Sequence, residues 1–262
     1  MKKIGFLFPL LFVLMVALIS PRVLSGAMSP MSMVFLGGGL ILLTMLVRPK
    51  KAATRSAQAV AEEILDDYCA DAFPPDQELG KKFYAALNDI GSNMPKSAVG
   101  KLQKLEPLCQ TNQQRYALAV AAAHAWKAQQ KFKDALREYN KAIVLNPTGK
   151  LAAAIGDCNQ RLGNLAKARD SYEFACELEP ENAKYVSSLA TVHVAEGNYD
   201  TALDTALDAL ELEETLSQAL ATCAICYGLQ NNSAMRNHYT RLAVNNGYKE
   251  EKINETIKAL KK

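Results

Sequence analysis

Small residues and an aromatic recur along the middle of this 262-residue chain at a fixed period. Ala135, Tyr139, Ala142 and Pro147 return thirty-three residues later, member by member, as Ala168, Tyr172, Ala175 and Pro180. Ala202, Ala206 and Ala209 stand thirty-four residues beyond Ala168, Tyr172 and Ala175, and Gly163-Asn164-Leu165 returns as Gly197-Asn198-Tyr199. A period of this length constrains the fold strongly. Each copy is one supersecondary unit that buries its apolar face only by stacking on its neighbours.

The period divides residues 116–248 into copies at 116–148, 149–182, 183–216 and 217–250. The first carries Trp126, Phe132, Ala135, Tyr139, Ala142 and Pro147, and the second Gly156, Gly163, Ala168, Tyr172, Ala175 and Pro180. The third carries Leu189, Ala190, Gly197, Tyr199, Ala202 and Ala209, with Ala206 in the aromatic slot and Glu214 in the proline slot. The fourth is degenerate: Tyr227 and Ala243 fit, but Arg236 replaces the packing alanine. On these residues the stretch resembles the tetratricopeptide repeat (TPR) family. The resemblance implies an all-α fold, a tetratricopeptide-repeat superhelix (α-solenoid) of antiparallel helix pairs wound right-handed. It also implies a concave surface, lined by the first helix of each pair, that takes a peptide or protein partner.

Carried onto this chain, the family's groove slots are Val120, His124, Lys127 and Ala128, then Lys150, Ala153, Asp157, Gln160 and Arg161. They continue as Lys184, Ser187, Thr191 and Val194, then Gln218, Ala221, Ile225 and Leu229. The residues expected to meet a partner are His124, Lys127, Lys150, Asp157, Arg161, Lys184 and Thr191. Some family members clamp a carboxyl-terminal carboxylate with a Lys and Asn set. This chain departs from it, with Val120, Ala153 and Ser187 at the lysine slots and His124, Asp157 and Thr191 at the asparagine slots. Lys127, Lys150, Arg161 and Lys184 favour an acidic partner.

Apolar residues make up 49% of the chain, and they are concentrated at its start. Residues 1–51 hold six of the 30 basic side chains and none of the 27 acidic ones. Residues 52–262 therefore carry 24 basic against 27 acidic groups, a net of −3, and no broad basic field for nucleic acid exists there. Two uncharged apolar segments, 4–20 and 31–47, predict a transmembrane helical hairpin within 1–51. Lys2 and Lys3 precede the first, and Arg48, Lys50, Lys51 and Arg55 follow the second, while the turn has Arg22 alone. Basic residues stay on the cytoplasmic side, which predicts a two-span anchor in the cell membrane with the repeats in the cytoplasm. The alternative is a cleaved signal peptide ending near Val23-Leu24-Ser25-Gly26-Ala27, with the repeats exported as a helper in envelope assembly.

Residues 52–115 read as a linker and helical region. A helix is expected over 57–70, with Val60, Ile64 and Leu65 on one side and Glu62, Glu63, Asp66 and Asp67 around the rest. Pro74-Pro75 ends it. Residues 79–112 read either as a worn copy of the repeat or as a helix pair covering the first good copy. At the other end 249–262 reads as a capping helix, with Ile253, Ile257 and Leu260 at helical spacing and five lysines around them.

No pattern of catalytic residues converges. His124, His193 and His238 fall at different slots of different copies, and no phosphate loop, Gly-x-Ser-x-Gly or His-Glu-x-x-His is present. Cys223 and Cys226 form a Cys-x-x-Cys pair inside an expected helix, with no second pair to complete a zinc site. Cys158 occupies the slot of Cys226, which reads as a buried small-residue position. The expectation is a membrane-anchored interaction scaffold with no metal, no cofactor and no catalysis, contacting lipid through its anchor.

Overall fold

The computed structural model describes residues 71–261, all within one compact unit, Ala53–Lys262. The expected spans at 4–20 and 31–47, the basic connector and the helix at 57–70 lie outside the described residues. Among the described residues no helix is long and apolar enough to cross a membrane.

Eleven α-helices follow one another in the described part. Five pairs come first: α1 (Glu78–Gly91) with α2 (Pro95–Leu105), and α3 (Asn112–Ala128) with α4 (Phe132–Leu145). Next come α5 (Gly149–Arg161) with α6 (Leu165–Leu178), and α7 (Ala183–Glu196) with α8 (Tyr199–Leu212). The last pair is α9 (Ser217–Leu229) with α10 (Ser233–Asn245), and α11 (Glu250–Leu260) closes the series. Each pair packs on the next, so the described part is an all-α solenoid.

One turn closes each of the five pairs, and Gly247 repeats it between α10 and α11. Asn93, Gln130, Gly163, Gly197 and Asn231 each hold a positive φ, between 55° and 86°, where the first helix of a pair ends. The next residue in each turn donates its N–H to a carbonyl five residues back: Met94 to Asp89, Lys131 to Trp126, Asn164 to Asn159, Asn198 to His193 and Asn232 to Tyr227. This bond satisfies a carbonyl the helix end would otherwise orphan. The pair α1–α2 therefore turns with the same geometry as the pairs after it.

Side-chain caps start three of the first helices, α3, α5 and α7. Thr111 Oγ1 accepts from Gln114 N at 3.1 Å and Gln114 Oε1 accepts from Thr111 N at 3.4 Å, a reciprocal box that begins α3 at Asn112. The first copy thus begins its helix four residues before the boundary at 116. Thr148 Oγ1 caps α5 through Leu151 N, and Asn182 Oδ1 caps α7 through Lys184 N.

The recurring alanines sit where helices cross. Ala135, Ala168 and Ala202 have no exposed surface, and neither do Ala142, Ala175 and Ala209. Tyr139 and Tyr172 fill the aromatic slot, with Ala206 buried in the third copy. Gly156 lets α5 approach α6: a Cβ there would lie 2.9 Å from the Tyr172 ring. The α9 helix is apolar on all sides, and nine of its residues are buried, as expected of a helix enclosed by its neighbours. Ile253 and Ile257 of α11 cover its far side in a cluster with Leu220, Ala224 and Cys226.

Candidate functional site

The first helices of the pairs line one open cavity of about 1150 Å³. All seven residues expected from the sequence stand on it: His124 and Lys127 from α3, Lys150, Asp157 and Arg161 from α5, Lys184 and Thr191 from α7. Ile90 of α1 and Pro95 of α2 border it toward the start of the solenoid, and Gln218 of α9 and Lys252 of α11 toward its end. Tyr139 and Tyr172 reach it from the second helices, and Tyr185 and Tyr248 add two more phenols.

The charges are not independent. Asp157 Oδ2 lies 2.6 Å from Lys127 Nζ, and its Oδ1 lies 3.4 Å from Arg161 Nε. One carboxylate thus engages both Lys127 and Arg161. Lys184 and Lys252 are exposed and form no ion pair among the described residues. Asp157 is the one carboxylate among the lining residues, against Lys127, Lys150, Arg161, Lys184 and Lys252.

Burial raises three of the phenols, Tyr172, Tyr185 and Tyr248. Burial pushes the Tyr185 hydroxyl up to about 12, Glu179 adds to the rise by charge and hydrogen bond, and Lys150 opposes it. Burial likewise raises Tyr172, with Asp157 adding and a hydrogen bond with Ser188 opposing. His124 meets Tyr139 edge-on, with ring centroids 5.6 Å apart. The lining offers cations, phenolic hydroxyls and aromatic faces, a set suited to binding carboxylates and peptide groups.

Several slots taken from the resemblance do not face the cavity. Val120, Ser187, Val194, Ala221 and Ile225 are buried among the helices. Each lies on the flank of a first helix that its partners cover. Sequence reasoning missed Tyr139 and Tyr172, read there as core, as well as Tyr185, Ser188 and Lys252. One signal was available: thirty-four-residue steps from Lys150 lead to Lys184, Gln218 and Lys252.

Cys223 and Cys226 are fully buried, and burial pushes both thiols up to about 12. Cys158 is buried too, its thiol pushed up to about 11 by burial, with Asp157 adding. His193 is nearly enclosed, 3.5 Å from Glu196, which also takes Arg169 at 3.0 Å. His238 stands against Tyr239, centroids 5.3 Å apart. Among the described residues no three His, Cys, Asp or Glu side chains gather as a metal site.

No family model and no curated protein matches the sequence. Solved structures match its fold. A tetratricopeptide repeat protein from Parabacteroides merdae superposes with a TM-score of 0.61 at 17% identity, covering 70% of this chain and 72% of its own. MamA superposes with a TM-score of 0.56 at 16% identity, covering 65% of this chain and 96% of its own. YrrB, a TPR protein with an unusual peptide-binding site, gives 0.54 at 17% identity over 73% of this chain and 94% of its own. The likeness is one of fold: the described part is a solenoid of the tetratricopeptide type.

Proposed function

We propose that this chain is a membrane-anchored interaction scaffold whose inner groove binds an acidic peptide or protein segment without catalysis. The observation that carries the reading is the lining of the cavity, five cations against one carboxylate, with four tyrosines among them. Asp157 already engages Lys127 and Arg161, while Lys184 and Lys252 form no ion pair among the described residues, so these two lead the attraction. Charge-assisted bonds to carboxylates are stronger than neutral ones, and complementary charge sets orientation and rate of encounter. The peptide-binding site of YrrB, on the same fold, supports the use of the scaffold for peptides. A fluorescein-labelled acidic peptide should raise its anisotropy on titration with the full chain in detergent micelles, and added salt should weaken the binding. The double variant Lys184→Glu, Lys252→Glu should lose about tenfold in affinity or more. Equal affinity of variant and parent, at equal helicity, would contradict the reading.

The anchor belongs to the same proposal. The basic residues flanking the segments 4–20 and 31–47, with Arg22 alone between them, support a hairpin whose two ends face the cytoplasm. Reporter fusions after Lys51 should signal the cytoplasm, and the chain should stay with membranes through a carbonate wash. A mature protein outside the cell, beginning near Ala27, would replace the cytoplasmic scaffold by an exported assembly helper.

A further inference from the structure

We propose that Asp157 is a resident competitor in the groove. It holds Lys127 and Arg161 until a carboxylate of the partner displaces it, and so sets how acidic a partner must be to bind. The proposal rests on the groove taking an acidic partner, as above, and adds which residue regulates that binding.

The fold does not require a carboxylate at this place. His124, Asp157 and Thr191 take the same slot in successive copies, and all three line the cavity. No carboxylate stands at the slot in the copies on either side. What sets the second copy apart is a pair of cations within reach. Lys127 stands in the last turn of α3, and Arg161 closes α5. Asp157 Oδ2 lies 2.6 Å from Lys127 Nζ, and Oδ1 lies 3.4 Å from Arg161 Nε, so each oxygen has its own cation. These are the positions that the oxygens of a partner's carboxylate would take.

The hold is weak enough to be broken. The Lys127 and Asp157 side chains are 35% and 28% exposed, and that of Arg161 is 65% exposed. Water reaches all three, and ion pairs so exposed add little to stability. The first and second copies do not depend on them to stay together. Leu151 and Ile155 of α5 are buried in one cluster with Tyr139 and Ala142 of α4.

Displacement selects among partners. A segment with one carboxylate only exchanges it for that of Asp157 and gains little. A segment with several also engages Lys184 and Lys252, which raises its effective concentration at Lys127 and Arg161. Asp157 thus discriminates against weakly acidic segments by a built-in opposing charge.

Titration of a fluorescein-labelled acidic peptide with the full chain in detergent micelles tests the proposal. Asp157→Asn should tighten the peptide by about tenfold, and Asp157→Glu, which keeps the charge, should leave it near the parent. Glu251→Gln removes the same charge beside Lys252 without touching Lys127 or Arg161, and should change the affinity by about twofold or less. Circular dichroism of each variant checks that the helices are intact. Equal tightening by Asp157→Asn and Glu251→Gln would reduce the effect to overall charge and overturn the competitor. Weaker or unchanged binding by Asp157→Asn would overturn it too, while leaving an acidic groove. Failure of both the parent and Asp157→Asn to bind the peptide would overturn the groove itself, and the competitor with it.

Discussion

Gln130 holds a φ of 60° in a turn where Gly163 and Gly197 serve the neighbouring copies. A side chain in that region costs about 1–2 kcal/mol, which glycine avoids. Gln130→Gly should therefore raise the stability by about 1 kcal/mol, and Gly197→Ala should lower it by about as much, both read from urea midpoints. The two glycines were legible in the sequence as a recurring pair, Gly163-Asn164 and Gly197-Asn198. Gln130 was not, because nothing in its chemistry marks a left-handed residue, and only the five-fold register of turns reveals its role. The buried thiols give a second expectation at this scale. Cys158, Cys223 and Cys226 titrate near 9 when unfolded and are pushed up to about 11, 12 and 12 by burial in the fold. The folded state thus keeps protons that the unfolded state gives up. Their contribution is whole below about pH 9 and is lost as pH rises toward 12, so the urea midpoint should fall steeply over that window. The same three thiols should resist maleimide in the native state and react on unfolding, and native modification would show that they are not enclosed.

The helices repeat a crossing rather than a sequence. Ala168 has no exposed surface where α6 meets its neighbours, and Gly156 leaves room on α5 for the Tyr172 ring. Ala168→Leu should overpack this crossing and cost about 1–3 kcal/mol, and an unchanged urea midpoint would show the crossing to be loose. The alanine pattern was legible because a small residue is required at the same place in each pair. The first copy was bounded at 116 because the periodic residues begin at Tyr116, whereas α3 begins just after its cap, Thr111. The groove was legible in part for a similar reason. Asp157 and Arg161 are four apart on one helix, so their pairing follows from sequence. Lys127 reaches Asp157 from the preceding copy, and that contact depends on how α3 and α5 pack. Val120 and Ser187 were assigned to the groove by slot, but their helix flanks are covered by neighbours.

Across the whole molecule, charge is sorted by surface. Residues 52–262 are net negative, yet the lining of the cavity is net positive. The α8 helix carries Asp200, Asp204, Asp208 and Glu211 and no basic residue. A chain that only needed solubility has no reason to gather cations on the inner surface, and attraction of an acidic segment supplies one. The groove thus belongs to the stack, since no single helix pair contains it. The direct test is hydrogen exchange of the full chain with and without a saturating acidic peptide. Binding in the groove predicts slower exchange in the first helices and in α11, strongest in α5, α7 and α11 around Lys150, Lys184 and Lys252. Slowing confined to the second helices α4, α6, α8 and α10 would place the partner on the outer surface and contradict the account.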